Sequence, residues 1–401
     1  MIQSRTSRVF LTAAVLFSPV FASLSAQHLI VGPRAAGMGG AQTSTANGST
    51  ALWANTAGLG ADPRLDFDLF GSALATDRGG FQASVNVLSP LNPNSMTPSQ
   101  ATSARAALTS LGRLGVGAVA SGVGGLVVAE RGLAVGVGEV AYAGVYPIVD
   151  LVHTSPVHGS NGFENNTSAV NSIGLEAREL RIGYAYGLYG RTLLIGTAAR
   201  YIRGIAYYDH TSVFDVSQTD LAATVVNAFK ADGKTTGAFT FDVGILVNVI
   251  STVKVGINAT SLTEPKFYLN QSTTDPALSG APAFVRLPRT VRAGASVTPM
   301  SALTVAFDYD LLASNTLVPG VKSRQFAGGA EINLPIFAIR GGAWRDFEAI
   351  DPHWSYSAGF GLKLVVVSIN AAVMFSQSGG LSLKSPVRKD LGAAIDAHFR
   401  F

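Results

Sequence analysis

Apolar and polar residues alternate along most of the chain beyond residue 60. In the segment 239–249 every odd position is apolar, whereas Asp242 and Asn248 fall on the other face. The segment 253–260 repeats the pattern after only three residues, 250–252. A period of two indicates a strand with one apolar face, and so short a connection indicates a hairpin. The pattern therefore predicts successive antiparallel strands.

The same reading yields fifteen candidate strands: Phe67–Ala73, Phe81–Leu88, Leu114–Val128, Leu133–Tyr146, Leu180–Leu188, Leu193–Arg203, Phe239–Val249, Val253–Thr260, Val291–Thr298, Leu303–Leu311, Phe326–Leu334, Ile336–Trp344, Trp354–Leu364, Ser368–Phe375 and Leu391–Phe401. Bacterial membrane barrels have even strand numbers, so the count is wrong by one strand, either a false candidate or a missed strand. Glycines blur the pattern before residue 147, and the error is expected there. We predict an all-β transmembrane antiparallel barrel of about fourteen strands, with sixteen as the alternative.

The connections between these strands alternate in length. Long connections fall at 148–178, 204–238, 262–289, 312–324, 345–353 and 376–390, and short ones at 189–192, 250–252, 299–302, 335 and 364–367. Short turns on one rim and long loops on the other are typical of outer-membrane barrels. Helical patterns in two polar stretches, Gln100–Leu111 and Ser217–Ala231, predict helices between the strands.

The last strand ends in an alternating aromatic pattern. Phe399 and Phe401 share its apolar face, while Asp396, His398 and Arg400 fall on the other. This ending resembles the assembly signal that the outer-membrane barrel-insertion machinery reads. We therefore predict that machinery and outer-membrane lipid as partners.

Composition supports the same class. Charged residues make up only 13% of the chain, and 44 of its 401 residues are glycine. Beyond the N-terminus no apolar run reaches the roughly 18 residues of a spanning helix, so a closed barrel is the remaining way to satisfy the backbone in lipid. Cysteine is absent and the net charge is only +4, without a basic cluster interleaved with aromatic residues. Thiolate metal sites and nucleic-acid binding therefore have no support.

The N-terminus has the features of a secretory signal. Arg5 and Arg8 precede a mostly apolar core at Val9–Val20, and small residues follow at Ser23–Ala26. We predict a cleaved signal peptide at 1–26, a plug segment at 27–62 and an outer-membrane barrel at 63–401.

The stretch Gly32–Leu59 follows neither the strand nor the helix period. It contains six glycines, and Arg34 is its only ionisable side chain. Small residues that allow close backbone approach, together with Asn47 and Asn55, suit an irregular segment held inside another structure; a flexible linker is the alternative.

Two motifs in this stretch resemble a known family. The run Arg34–Ala41 (RAAGMGGA) and the run Ser49–Leu59 (STALWANTAGL) are similar to the N-terminal plug of the long-chain fatty acid transporter (FadL-like) superfamily of outer-membrane barrels. Asn55-Thr56-Ala57 stands where that family usually has Asn-Pro-Ala. The resemblance implies passage of hydrophobic small molecules past the plug. The residues of this chain that the resemblance makes candidates for holding the plug or contacting a ligand are Arg34, Met38, Asn47, Leu52, Trp53, Asn55 and Leu59.

Several wall segments resemble a narrower group, the plasmid-transfer (TraF-type) barrel proteins. The matching pieces are Ile173–Glu176, Arg181–Ala185, Ala199–Tyr201, Phe307–Leu311, Gly328–Glu331 and Ile339–Gly342. This resemblance implies the alternative function, a non-enzymatic conjugal-transfer or secretion-associated protein that binds partners through its long loops.

The strand phase predicts which charged side chains face the lumen. They are Arg181, Arg200, Asp242, Lys254, Arg292, Asp308, Asp310, Glu331, Arg340, Lys363, Asp396, His398 and Arg400. Lys or Arg at the lipid midplane would cost about 2–4 kcal/mol, which favours this phase. Mixed signs indicate ion pairs that brace a plugged lumen, with a conduit lining as the alternative. The pair Asp308 and Asp310 is expected to be structural, and no catalytic residue, metal or cofactor is predicted.

Deletion of Phe401 is expected to lower the fraction of the protein that folds in outer membranes, because the last strand then loses its terminal aromatic. Heat-modifiable migration on gels measures that fraction. An unchanged folded fraction would contradict the assembly role of Phe399 and Phe401.

Overall fold

The structure is a computed structural model that describes residues 29–215, 235–269, 283–318, 320–376 and 390–401. The predicted signal peptide and the predicted helix at Ser217–Ala231 lie outside the described residues.

Fourteen antiparallel strands form a closed barrel in which each strand pairs with the next and the last pairs with the first. We label them β1 Asp66–Arg78, β2 Gly117–Glu130, β3 Leu133–Ile148, β4 Ala169–Leu188, β5 Leu193–Ser212, β6 Thr235–Ile250, β7 Val253–Thr260, β8 Thr290–Met300, β9 Leu303–Asp310, β10 Gln325–Asn333, β11 Phe337–Asp346, β12 Ser355–Lys363, β13 Val367–Ser376 and β14 Asp390–Arg400. The predicted barrel of fourteen strands is confirmed.

The described residues also contain four α-helices: α1 Gly32–Gly37, α2 Ala51–Ala54, α3 Phe81–Leu88 and α4 Pro98–Leu111. Short 3₁₀ turns occur at Thr56–Gly60 and Phe163–Asn165, and two small hairpins pair Lys266–Tyr268 with Phe284–Arg286 and Ser314–Asn315 with Lys322–Ser323. None of the helices among the described residues combines the length and the apolar character needed to cross a membrane.

One of the fifteen candidate strands, Phe81–Leu88, is wrong, because these residues form helix α3. Gly79 and Gly80 both have φ near +70°, which breaks the extended path of β1. The Asp77 carboxylate then accepts a hydrogen bond from the Phe81 amide at 2.8 Å and starts the helix. The sequence does contain the pattern of a helix here, because the apolar residues Phe81, Val85 and Leu88 are spaced by four and three residues.

Helix α4 confirms the predicted helix at Gln100–Leu111 and begins two residues earlier. Its start is a capping box, in which the Gln100 amide donates to Thr97 Oγ1 at 3.3 Å and the Thr97 amide donates to Gln100 Oε1 at 2.9 Å. Pro98 occupies the first turn, where its missing N–H costs nothing.

Short turns and long connections separate onto opposite rims. The turn rim carries 131–132, 189–192, 251–252, 301–302, 334–336 and 364–366, and the loop rim carries the longer connections. Strands β4 and β5 are each 20 residues long, so the predicted loops 148–178 and 204–238 are partly strand. Alternation fades there because both faces are covered, and every residue from Ala169 to Leu175 is buried.

The outer surface of the barrel is apolar. On β4, Leu180, Ile182 and Tyr184 point outward and are exposed, whereas Glu179 and Arg181 point inward and are buried. This alternation is the apolar-out, polar-in order of a membrane barrel.

Helices α3 and α4 pack against the outside of the wall near the loop rim. Their buried side chains form one cluster with Ala118 of β2, Val145 of β3 and Val170 of β4. The wall at this height therefore lies between the helices outside and the lumen inside.

We expect Leu88→Ala to destabilise the packing of α3 by about 2–5 kcal/mol, because Leu88 is fully buried in that cluster. Thermal unfolding in detergent and limited proteolysis near α3 measure the loss. The matched control is Val87→Ala, since Val87 is the exposed neighbour in the same helix. A larger effect at Val87 than at Leu88 would contradict this packing.

Candidate functional site

The N-terminal segment lies inside the barrel. We call residues 29–62 the plug. Helix α1 contacts β1 and β11–β14, α2 contacts β3 and β4, and the turn Thr56–Gly60 contacts β3–β6. Most plug residues are buried, including Met38, Leu52, Trp53, Asn55 and Leu59, whereas Asn47 is exposed. The plug thus touches strands around the circumference of the lumen.

Glycines in β10 and β11 let the plug backbone approach the wall. A Cβ on Gly329 would lie 2.5 Å from the Met38 Cα, and one on Gly342 would overlap the Met38 carbonyl carbon and the Gly39 amide. Gly39 itself has φ +70°, and a Cβ there would lie 2.6 Å from the Ala343 carbonyl. Both sides of this contact therefore require glycine.

The opposite side of the lumen has a second set of inward glycines. A Cβ on Gly136 would overlap the Trp53 ring, and one on Gly183 would lie 2.5 Å from Leu52 Cδ1. A Cβ on Gly196 would lie 2.5 Å from the Ala57 amide. Trp53, Leu52 and Leu59 therefore fill recesses in the wall.

Strand side chains satisfy the irregular plug backbone. Asp308 Oδ2 accepts hydrogen bonds from the Gln42 amide at 2.9 Å, the Thr43 amide at 2.9 Å and Thr43 Oγ1 at 2.7 Å. Asp310 instead accepts from Arg292 Nε at 2.6 Å. The two carboxylates thus have separate partners, one in the plug and one in the wall.

Further contacts fix the plug at other points of the lumen. Arg34 forms an ion pair with Glu331 at 2.9 Å, and Glu331 also pairs with Arg340 at 2.7 Å. On the other side Asn258 Nδ2 donates to the Ala54 carbonyl at 2.6 Å, while Asn55 Nδ2 donates to the Thr43 carbonyl at 2.8 Å.

Four buried charges form a network beside Trp53. Arg181 pairs with Glu179 at 2.6 Å and Asp242 at 3.2 Å, and Arg200 pairs with the same carboxylates at 2.5 Å and 3.1 Å. The Arg181 guanidinium lies 4.7 Å from the centre of the Trp53 ring. Removing one member would leave an uncompensated buried charge, at about 3–5 kcal/mol. Glu179 was missed in the sequence because the predicted strand began one residue later, although its inward phase was readable.

The remaining charged candidates lie toward the turn rim. Lys254 is exposed, and Lys363 Nζ donates to the Leu334 carbonyl at 2.8 Å. Arg400 lies 3.7 Å from the carboxylates of Asp62 and Asp66. Outside the strands, the Arg64 hydrogen bond lowers the pKa of Asp62 to about 2, so this carboxylate stays charged where the plug joins β1.

His398 joins the first and last strands. Its Nε2 lies 3.0 Å from Asp66 Oδ1 and its Nδ1 lies 3.0 Å from Asp68 Oδ2. Both ring nitrogens face acceptors, an arrangement that suits the imidazolium. Asp396 accepts from Asn370 Nδ2 at 2.7 Å. On the outer face Phe399 packs edge to face on Phe67 at 5.6 Å, and Phe401 is exposed.

A segment from the loop rim crosses the lumen above the plug. This crossing segment, residues 311–318 and 320–324, starts at β9 and reaches the opposite wall, where Val318 and Val321 cluster with Val119 of β2. A Cβ on Gly144 of β3 would lie 3.0 Å from Leu317 Cβ. Leu317 also lines a cavity of about 50 Å³ that Trp53 lines from the plug side.

The plug and the crossing segment leave a cavity of about 50 Å³ between them. An apolar cavity of about 150 Å³ can hold benzene, and this cavity is a third of that size. Among the described strands, β2, β3 and β4 pair without a register shift, so the wall has no gap there. The fold and the lumen thus define a plugged, closed membrane barrel.

No family model matches the sequence, and no curated protein matches it significantly. Solved structures do match in fold. The monoaromatic hydrocarbon channel CymD is 13% identical with a TM-score of 0.54, and the match covers 94% of this chain and 98% of CymD. The toluene transporter TbuX of Ralstonia pickettii is 15% identical with a TM-score of 0.53, and the match covers 92% and 98%. A FadL homologue from Pseudomonas aeruginosa is 13% identical with a TM-score of 0.52, and the match covers 95% and 99%. The chain has the fold of FadL-type barrels, and the TraF-type resemblance stays a prediction.

We expect Gly342→Ala to displace the plug, because the new methyl group would overlap the backbone at Met38 and Gly39. Ion conductance across planar bilayers should rise and the unfolding temperature should fall. The matched control is Gly341→Ala, since a Cβ on Gly341 would meet nothing within 4 Å. If the two variants had equal ion conductance and equal unfolding temperatures, close packing of the plug against β11 would be contradicted.

Proposed function

We propose that this chain is a non-enzymatic outer-membrane channel through which hydrophobic small molecules pass. The observation that carries the proposal is the position of the plug inside a closed barrel, below a cavity that Trp53 and Leu317 line from opposite sides. Three proteins of the same fold are named as a hydrocarbon channel, a toluene transporter and a FadL homologue. In this proposal the signal peptide at 1–26 directs export, the loop rim faces outward and the turn rim faces the periplasm.

Passage in this proposal requires movement of two barriers. The crossing segment closes the cavity from the loop rim, and the plug closes it from the turn rim. A cavity of about 50 Å³ is too small for an aromatic ring until one barrier moves.

A disulfide across the mouth tests the proposal. The double variant Gly144→Cys, Leu317→Cys places two Cβ atoms 3.0 Å apart, and a small shift of the crossing segment reaches the disulfide range of about 3.5–4.5 Å. The chain has no cysteine of its own, so no other pair competes. We expect oxidation to lower the uptake of radiolabelled toluene by expressing cells several-fold, and reduction to restore it.

The two single-cysteine variants are the controls, because neither can close the bridge. Uptake that is the same in oxidised, reduced and non-expressing cells would contradict the channel. That result would favour the partner-binding function that the plasmid-transfer resemblance implies.

A further inference from the structure

The outer face of the wall carries two adjacent arginines. Arg178 of β4 and Arg203 of β5 lie directly opposite each other in the register of the two strands, and both side chains are exposed. Both follow the outward phase of their strands, since Leu180 and Tyr201, two positions away, are exposed on the outer surface. Two like charges directly opposite each other destabilise a strand pair unless another group compensates them.

The pair lies at the edge of the apolar outer surface that is nearer to the loop rim. Each arginine is ten residues from the turn-rim end of its strand, Leu188 or Leu193. At about 3.4 Å per residue and a tilt of roughly 35–45°, this places it about 25 Å from the turn rim. The apolar band of a membrane barrel is also about 25 Å tall. The two guanidinium groups therefore lie at the level of lipid head groups, where a charge on the outer face costs little.

Nearby carboxylates compensate Arg178 and leave Arg203 without a partner. Arg178 Nη2 lies 3.2 Å from Glu176 Oε1, and Arg178 Nε lies 3.9 Å from Glu139 Oε2. The two glutamate side chains are 13% and 22% exposed, against 56% for Arg178, so the guanidinium is the group that faces the membrane. Among the described residues, Arg203 forms no ion pair.

A recess lies on the other side of Arg203. Gly237 of β6 is its register partner there. The three atoms nearest to a Cβ at Gly237 all belong to the Tyr201 side chain, and the closest is the hydroxyl oxygen at 3.1 Å. Phe239 is exposed next to this recess and packs on Tyr201, with 4.9 Å between the ring centres. A guanidinium and a phenol hydroxyl thus border an open position above an aromatic pair.

A phosphate group matches this combination of side chains. A guanidinium donates in a planar fork that fits two phosphate oxygens, and a phenol hydroxyl adds another donor. A phosphate monoester carries a charge of about −1.5 to −2, which compensates the unpaired Arg203 and attracts the exposed guanidinium of Arg178. The exposed apolar side chains next to the recess, Leu180 and Phe239, suit acyl chains.

We propose that the outer face of β4, β5 and β6 binds the phosphate head group of a membrane lipid. The phosphate lies over Gly237, where Arg203 and the Tyr201 hydroxyl donate to it. Arg178 adds a second positive charge, and the acyl chains follow the apolar wall toward the turn rim. The inference goes beyond the proposed channel function and does not depend on it, because a barrel of any activity meets lipid at this level.

Native mass spectrometry of the purified barrel in a neutral detergent tests the proposal. The probes are dimyristoyl phosphatidic acid, dimyristoylglycerol with the same two chains, and inorganic phosphate. We expect the phosphatidic acid to bind about fivefold more tightly than dimyristoylglycerol, or better, because only the first carries the phosphate. Inorganic phosphate at equal concentration should not displace it, because the free ion lacks the acyl chains.

Arg203→Gln should weaken the binding of phosphatidic acid about fivefold and leave dimyristoylglycerol unchanged, which is roughly the effect of one arginine at an anionic lipid surface. Arg203→Lys keeps the charge and should retain most of the affinity. Tyr201→Phe keeps the ring and should weaken the binding about threefold. The matched control is Arg113→Gln, since Arg113 is exposed between α4 and β2, outside the strands. Heat-modifiable migration on gels verifies that each variant is folded.

Equal binding of phosphatidic acid by the unaltered chain and by folded Arg203→Gln would overturn the site, and so would equal binding of the two lipids. Displacement of the phosphatidic acid by inorganic phosphate would overturn the lipid assignment in favour of a free anion. A barrel dimer that forms without lipid and is lost in Arg203→Gln would assign this face to a second copy of the chain instead. The toluene uptake of the disulfide variant is independent of all these results, so it separates failure of this inference from failure of the channel function.

Discussion

The rest of the structure depends on the short distance between the plug backbone and the inner wall. At Gly329 and Gly342 the wall touches the plug without an intervening side chain, and Gly136 and Gly183 do the same for Trp53 and Leu52. Each strand glycine weakens its strand by about 0.5–1 kcal/mol relative to alanine. Contact with a buried plug offsets that cost. The high glycine content of the chain therefore follows partly from this fit.

The plug has little regular structure, so its peptide groups need partners from elsewhere. Asp308 and Asn258 supply them from two different strands, and Arg34 adds an ion pair to Glu331. These contacts explain the charged lumen without invoking an aqueous conduit. The wall accepts hydrogen bonds from plug amides at Asp308 and donates one to a plug carbonyl at Asn258. It therefore needs both acceptors and donors on its inner face.

Much of this arrangement was predictable. Period-two alternation predicted the strands, their phase and hence the inward position of Arg181, Arg200 and Asp308. It failed at Phe81–Leu88, where a short apolar run fits both periods and only the two left-handed glycines decide. The partner of each lumenal charge was beyond sequence reasoning, because it depends on the register of all fourteen strands and on the plug at once.

The two barriers of the lumen differ in what holds them. The plug is fixed by hydrogen bonds to charged groups, each contributing about 1.5–3 kcal/mol, at points spread around the barrel. The crossing segment reaches the far wall through apolar side chains such as Val318, at about 1.5–3 kcal/mol for each fully buried residue. The crossing segment has polar contacts as well, since Arg78 donates to the Lys322 carbonyl at 3.0 Å and Asp346 accepts from Ser323 Oγ at 2.7 Å. The plug differs in that its contacts are distributed over more strands of the barrel. In the proposed channel, a ligand arriving at the loop rim would therefore meet the crossing segment first and would reach the cavity while the plug is still in place.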